Sequence, residues 1–241
     1  MEDKERIMSK VVAALEREAS VNLHRFPVHL EFNDGALTLE GEVAGITAKK
    51  KALEGAAAVP GVTGIVDRLR LVPAQRMEDG ELRDHVCTAL LAENLLASCA
   101  VWAIVKGRPE VVREADQGMD GSIDVEVNDG VVILNGAVPS LSAKRLAGVL
   151  AWWVPGSRDV VNGVEVSPPE EDNDGEVVDA VRLVLEKDPF VNASQVRVAC
   201  RDYGVTLEGI VKSEAQRRMA EADCWYVFRV DRVANLLRVE G

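Results

Sequence analysis

Three histidines and four cysteines are the residues of this chain best suited to catalysis or metal binding, and their spacing forms no recognisable motif. His24 and His29 flank the start of a predicted strand, and His85 lies on a predicted helix beside acidic residues, so we predict all three on the surface. Nucleophilic catalysis needs a base beside a serine or cysteine, and the sequence places no such pair. The chain also lacks P-loop, GxGxxG, HExxH and paired-cysteine motifs. We therefore predict no catalytic residue, no cofactor and no metal.

The acidic run Glu170–Gly175 is the stretch most similar to a metal-binding loop. Asp172 and Asp174 precede the glycine at steps that suit calcium coordination. The twelfth loop position, which should hold a bidentate glutamate, would be Val181. We therefore predict that these carboxylates precede a helix, because the N-terminal end of a helix favours negative charge.

An apolar, aromatic face on two predicted helices is a stronger candidate for a binding surface. Only 4% of the residues are aromatic, yet Trp and Tyr side chains cluster on the second helix of two repeated units. A step of about 100° per residue turns Val149 and Trp152 away from the sheet that their helix covers. The corresponding helix of the first unit carries Lys51 and Glu54 on this face. The candidate ligand- or partner-binding residues are Leu146, Val149, Trp152, Trp153, Met219, Trp225 and Tyr226.

Such an apolar helix face has two explanations that the sequence leaves open. The second and third units could pack these helices against each other or against their own first helices, which would bury the face. Alternatively, the face could dock a protein partner or a lipid surface, where Trp and Tyr favour the interfacial zone. Solvent exposure of the four aromatic side chains would distinguish the two.

These helices belong to a unit that the chain repeats three times. NDGALTLEG at Asn33–Gly41 recurs as NDGVVILNG at Asn128–Gly136 and, more loosely, as RDYGVTLEG at Arg201–Gly209. Turn residues flanked by alternating apolar positions predict a β-hairpin with one buried face in each copy. Shifts of 95 and 168 residues superpose residues 28–71 on both later copies without a gap, as expected for a tandem array. Cys200 lies at an inward strand position, so we predict that it is buried.

The elements around each hairpin predict the fold. Each unit begins with a helix, continues through the hairpin to an alanine-bearing helix, and ends with a third strand. The predicted fold class is α+β: three tandem small αββαβ domains, each a helix pair on a small mixed three-stranded sheet. The predicted domains cover residues 1–72, 78–167 and 174–241. The second contains an insertion at about 99–121, which is either a functional loop or a local embellishment.

Charge and hydropathy exclude several classes of partner. The net charge is −12, and each unit has more acidic than basic side chains, which argues against nucleic acid and against attraction to anionic lipid by charge alone. No apolar run approaches the ~20 residues that span a bilayer, so no transmembrane segment is predicted. The start, MEDKERIMSK, has no apolar signal region. We expect a cytoplasmic protein for the chain as given, or a periplasmic one if a leader was removed.

The repeat resembles the BON domain, a small domain named from bacterial osmotic-stress and nodulation proteins. The hairpins VHLEFNDGALTLEGEV, IDVEVNDGVVILNGAV and VRVACRDYGVTLEGIV carry the resemblance, with the alanine-bearing helix and the closing segments VPGVTGIVDRL, VPGSRDVVNGV and VDRVANLL. The third unit departs from the pattern, since Phe228-Arg229 stand where the first has Pro60-Gly61. The resemblance implies an αββαβ fold and non-catalytic binding of phospholipid membranes or other hydrophobic ligands in envelope-associated proteins.

Three hypotheses for function follow. The first is a non-enzymatic bacterial binding protein that contacts phospholipid or an envelope component through the outer faces of the second helices. The alternative is a cytoplasmic protein-interaction scaffold that uses the same faces or the insertion to recruit a partner. An enzyme would instead require a cleft between units in which histidines or carboxylates converge.

Overall fold

The computed structural model describes residues 2–114 and 121–240, which divide into two compact units, one up to Val72 and one from Pro73 onward. Within these described residues, no helix combines the length and the apolar character needed to cross a membrane.

The first unit is a single αββαβ module. Its sheet has three strands in chain order, and the central strand pairs antiparallel with the first and parallel with the third. Val11 and Leu15 on the first helix and Ala52 on the second are fully buried, because their helical spacing places them on the sheet side. The elements are α1 (Glu2–Arg17), β1 (Val28–Asn33), β2 (Ala36–Val43), α2 (Ile46–Ala57) and β3 (Gly64–Leu71).

The second unit contains two further modules with the same pairing pattern, an antiparallel hairpin followed by a parallel strand. The second module consists of α3 (Asp79–Leu91), β4 (Cys99–Val105), β5 (Arg108–Arg113), β6 (Gly121–Asn128), β7 (Val131–Val138), α4 (Leu141–Trp153), β8 (Asp159–Asn162) and β9 (Glu165–Val166). The third consists of α5 (Asp174–Lys187), β10 (Val196–Arg201), β11 (Gly204–Val211), α6 (Glu214–Tyr226) and β12 (Arg232–Val239).

The insertion of the second module extends its sheet. β4 pairs in parallel with β6, and β5 forms a hairpin with β4, giving the order β5-β4-β6-β7-β8 with β9 also paired to β7. The α+β fold with three tandem αββαβ modules is therefore confirmed, whereas three strands per sheet is wrong for the second module, whose sheet has six. Residues 115–120 of the predicted insertion lie outside the described residues. The predicted limits of the individual domains stay predictions.

The hairpin turns have the conformation that their sequences predict. Asp34, Asp129 and Asp202 have φ values of 48°, 51° and 49°, and the residue after each also has a positive φ. Two successive residues with positive φ are typical of a type I′ turn, whose twist matches that of the flanking strands. Tyr203 occupies the second position in the third module, with φ 58°, where the other modules have glycine.

A carboxylate at the start of the first helix holds the turn in two modules. Asp79 and Asp174 each accept hydrogen bonds from two successive backbone N–H groups of their hairpin turns, at 2.8–2.9 Å. The hydrogen bond from the Tyr203 N–H, above all, lowers the pKa of Asp174. The first module has Lys4 at this position, which donates to the side chain of the turn asparagine. Cys200 is half-buried rather than buried, and its thiol donates to Asp174 at 3.3 Å.

A repeated polar position in the third strand ties that strand to the second helix. The Asn162 and Asn235 side chains each donate to a backbone carbonyl of α4 or α6 at 2.8 Å and accept from the N–H two residues ahead. Asp67 cannot donate in this way, so it pairs with Lys49 at 3.0 Å while accepting from the Leu69 N–H. The polar residue at this aligned position of each module therefore has a structural role.

The turn after the second helix keeps its backbone conformation in the third module, where Phe228-Arg229 replace the Pro60-Gly61 of the first module. Arg229 has φ 70°, in the left-handed region that Gly61 occupies with φ 102°. This conformation costs an arginine about 1 kcal/mol or more. The Arg229 guanidinium lies 4.4 Å from the centre of the Tyr203 ring, and Tyr203 in turn donates to the Asp172 carbonyl. These contacts offset the strain.

The glycine that closes the hairpin gives a first testable prediction. Gly41 has φ 146°, and a Cβ added there would lie 2.7 Å from the backbone oxygen of Pro27. Because both the conformation and the backbone contact exclude a side chain, we expect Gly41→Ala to destabilise the first module by roughly 2–3 kcal/mol. Amide hydrogen exchange of β1 and β2 in the full chain would measure this loss module by module.

Gly55 provides the matched control in the same module. It lies inside α2, and a Cβ added there would meet no atom within 4 Å. Since alanine favours a helix over glycine, Gly55→Ala should stabilise the module by up to about 1 kcal/mol. Equal exchange rates in the two variants would contradict the structural role of Gly41.

Candidate functional site

The predicted binding faces of α4 and α6 meet inside the second unit. α4 packs against both α5 and α6. Leu146, Val149 and Trp225 are at most 2% exposed, so a ligand cannot reach these three side chains in this structure. The structure thus shows the packing alternative for this part of the face. Ligand binding by the predicted residues itself stays a prediction.

The remaining aromatic residues line the margin of this packing. The rings of Trp152 and Tyr226 stack with centroids 5.6 Å apart and planes at 28°. The indole N–H of Trp153 donates to Oδ1 of Asp223 at 3.2 Å, which joins the second module to the third. All three rings are half-buried, so they remain partly accessible from solvent.

The buried side chain of Arg145 makes an ionic contact between the modules. The sequence analysis did not identify this contact. Its Nη2 donates to Oδ1 of Asp172 at 2.6 Å, and its Nε donates to the Phe228 carbonyl at 3.3 Å. The corresponding positions hold Lys50 and Arg218, neither of which is buried. The sequence does show a basic residue beside the apolar helix face in all three modules. It does not show in which module that basic residue is buried.

A cleft of about 370 Å³ opens at the edge of this packing. The end of α4, the segment after α5 and one face of α6 form its walls. Phe190 stands at the cleft with 64% of its surface exposed. Three predicted binding residues, Trp153, Met219 and Tyr226, lie in the lining. The full lining is Trp153, Asp188, Pro189, Phe190, Met219, Ala222, Asp223 and Tyr226.

Two buried carboxyl groups lie among these apolar residues. Asp188 and Asp223 are only 8% and 4% exposed. Asp188 Oδ1 accepts from the Phe190 N–H at 2.8 Å. Asp223 Oδ1 accepts from Trp153, and no group among the described residues donates to the buried Oδ2. Burial first, and then the charge of Asp188 and its hydrogen bond, raise the pKa of Asp223 to about 8.

The sequence reasoning did not single out this pair. Asp188 precedes Pro189 directly after α5, and Asp223 is one of three carboxylates on α6. A signal existed, because Gly55 and Leu150 hold the position of Asp223 in the other modules. A charged residue at an otherwise apolar or small position predicts an unusual environment, but α5 and α6 must first be brought together to reveal its partner.

A second groove, of about 500 Å³, lies in the first module between α1 and α2. Its walls are mostly small or apolar, and Lys10 and Arg17 are the charged residues among them. It therefore has the opposite charge to the Asp188–Asp223 cleft. The lining residues are Ser9, Lys10, Ala13, Ala14, Arg17, Gly55, Ala58, Val59 and Pro60.

The other residues considered for chemistry lie elsewhere. His24, His29 and His85 are exposed, as predicted, and line neither cavity. Asp174 begins α5 and Asp172 pairs with Arg145, so the acidic run precedes a helix, as predicted. Over residues 2–114 and 121–240, no group of three or more His, Cys, Asp or Glu side chains could hold a metal ion.

Comparison with known proteins gives one informative result. The family model for the BON domain matches residues 3–73, 110–168 and 173–241, which together make up most of the chain. The second match begins at residue 110, within β5, and so leaves out α3. No curated protein matches the chain.

Similarity to solved structures is much weaker. Two structures of CdsD, a structural protein of the type III secretion system of Chlamydia trachomatis, align with 98% of this chain at 14% identity. The alignments cover 98% and 92% of those chains, with TM-scores of 0.26 and 0.25. Scores this low carry no argument about the present fold or function.

Proposed function

This chain belongs to the BON domain family, and we propose from that premise that it is a non-catalytic protein that binds phospholipid or a similar hydrophobic ligand. BON domains are known from membrane- and phospholipid-binding proteins, and the family is of a binding rather than a catalytic type. The proposal places the ligand in the cleft lined by Trp153, Phe190, Met219 and Tyr226.

This aromatic cleft is the observation that carries the proposal. Its volume of about 370 Å³ falls within the range of about 300–1,000 Å³ typical of small-ligand sites. Phe190 is exposed at the cleft, where insertion between acyl chains would remove its ring from water. Tryptophan and tyrosine favour the boundary between water and lipid, because each combines an apolar ring with a polar group.

The charge of the chain selects among lipid surfaces. A net charge of −12 opposes approach to anionic lipid. We therefore expect binding to vesicles of zwitterionic phosphatidylcholine and phosphatidylethanolamine, and weaker binding once an anionic lipid is added. Raising the salt concentration should reduce that difference, since salt screens exposed charges.

Replacing Phe190 tests this proposal directly. Burying a phenylalanine side chain contributes about 2 kcal/mol, so Phe190→Ser should weaken co-sedimentation with zwitterionic vesicles by roughly tenfold or more. Because Phe190 is already exposed, the substitution should leave the fold intact. Leu236→Ser is the matched control, since it removes another exposed apolar side chain of the third module, on β12. Equal loss in both variants, or no binding by the unaltered chain, would contradict the proposal.

A second candidate function, a protein-interaction scaffold, is favoured by the inserted hairpin. Among the described residues, no strand pairs with the outer edge of β5. Val111 and Val112 on this strand are both exposed. An unpaired edge strand can pair with a strand of another protein. Loss of a co-purifying protein on Val111→Lys, without loss of vesicle binding, would support this second function.

A further inference from the structure

We infer that the cleft of the second unit selects amphiphiles with a cationic ammonium head, which would sit against Asp188 and Asp223 with its apolar chain along Phe190 and Met219. The inference rests on the proposed function, because it names the class of ligand that the same cleft would take.

The two carboxyl groups supply the attraction for a cation. Both line the cleft and both are more than nine-tenths buried. When Asp223 is ionised, no group among the described residues donates a hydrogen bond to its Oδ2, and a buried carboxylate oxygen without a donor is costly. Two adjacent carboxylates in an apolar setting repel each other, so they hold a proton or attract a cation. The positive charge of an ammonium head would offset this repulsion.

The aromatic lining favours the same charge. Trp153, Phe190 and Tyr226 line the same cleft as the carboxyl pair. Aromatic faces attract cations through the ring quadrupole, and quaternary ammonium groups are bound in this way by aromatic cages. Burial, and then the charge of Asp223, raise the pKa of Tyr226 to about 12, so its phenol stays neutral.

The shape of the cleft points to a small amphiphile. A volume of about 370 Å³ accommodates a head group and part of a chain. Met219, Ala222 and Pro189 also line the cleft. An apolar chain could cover these side chains, whereas an ammonium ion without a chain would leave them in contact with water. The groove of the first module has Lys10 and Arg17 instead, so it should repel the same ligand.

Binding of the cation should release a proton. In the empty cleft, protonated Asp223 donates to Asp188. When the ammonium enters, the proton leaves to solvent and two carboxylates face one positive charge, so charge and atoms balance. The affinity should therefore rise with pH up to about the pKa of Asp223, near 8. The charged or titratable residues nearest to the pair in the chain are Glu186 and Lys187 on α5, with Glu93 as the ion-pair partner of Lys187, and Glu221, Cys224 and Tyr226 on α6. Farther along α4, α5 and α6 lie Lys144, Arg145, Asp174, Glu176, Asp179, Arg182, Glu214, Arg217 and Arg218.

Calorimetric titration of the full chain with matched octyl probes tests the inference. We expect octyltrimethylammonium to bind at least tenfold more tightly than neutral octyl glucoside, since one buried ion pair contributes more than the ~1.4 kcal/mol that a tenfold change requires. Octanoate should bind more weakly still. Repeating the titration in buffers with different ionisation enthalpies should reveal the released proton.

The variants separate this inference from the proposed function. Asp223→Asn should remove both the preference for the cation and the proton release, while octyl glucoside still binds. Asp179→Asn, on the exposed face of α5, makes the same substitution at a surface carboxylate outside the cleft and should alter neither. If wild type bound octyl glucoside as tightly as the cation, the inference would be wrong and the proposed function would stand.

Two further outcomes would also be decisive. Failure of every octyl probe to bind would overturn both the inference and the proposed cleft. Binding of tetramethylammonium as tightly as its octyl derivative would show that the site takes a free cation, and the assignment to an amphiphile would be wrong.

Discussion

Replacing Arg145 by alanine is expected to lower the free energy of unfolding of the second unit by about 2–4 kcal/mol, because it removes a charge-assisted hydrogen bond to Asp172 and a second hydrogen bond to the Phe228 carbonyl. Arg145 is fully enclosed between the second and third modules, and it holds Asp172 and the Phe228 carbonyl at once. Both acceptors belong to the third module or its linker. The loss should therefore weaken the docking of the two modules as well as their stability. Urea denaturation would measure the change, and a single transition should separate into two.

Arg218→Ala is the matched control for this prediction. Arg218 holds the corresponding position on α6 and is exposed. Substitutions at such surface sites usually change stability by less than about 0.5 kcal/mol. If the two variants lost the same stability, the buried contact of Arg145 would not be what joins the modules.

The module itself could be predicted from the sequence because its determinants are local. Turn residues with positive φ, alternating apolar residues and alanines at helical spacing each act within a few residues of chain. The chain contains three copies of the same pattern, so the aligned turn residues Asp34, Asp129 and Asp202 could be compared with one another. Asn162 and Asn235 also hold the same position of the repeat, but the backbone carbonyls to which they donate are known only from the structure.

The candidate site could not be predicted because it depends on how one module lies on the next. Trp153 and Asp223 come from different modules and meet at 3.2 Å only after docking. The apolar character of three residues that line the cleft was evident from the sequence. The sequence gave no reason to choose these three over Leu146 or Trp225, which are buried in the structure. Every module has the same internal pattern, so the pattern carries no information about which faces are covered.

The inserted hairpin was missed for a different reason. Val101–Val105 shows an apolar run that is consistent with a strand, but the partner strand and the parallel pairing with β6 are non-local. Sequence periodicity describes one strand at a time and leaves its neighbours in the sheet undetermined. The expectation of three strands therefore followed from the repeat, and the repeat does not contain the insertion.

Replacing Asp223 by asparagine is expected to stabilise the second unit at alkaline pH. In the folded chain, burial and the neighbouring Asp188 raise the pKa of Asp223 to about 8 from an ordinary value of 3.8. The folded state therefore holds a proton that the unfolded state releases. Between about pH 4 and pH 8 the stability of the wild type should fall as pH rises, and above about pH 8 this contribution should be constant.

Asparagine removes that dependence and keeps the contacts. Its side-chain oxygen can still accept from Trp153, and its amide can donate to Asp188, as the protonated acid does. The gain over wild type should be near zero below pH 4 and should reach about 2–5 kcal/mol above pH 8. Thermal unfolding over this pH range would measure it, with Asp179→Asn as the control that should show a flat difference. A variant that was destabilised by the same amount at every pH would mean that Asp223 is ionised in the fold, and that the two carboxyl groups of the cleft share no proton.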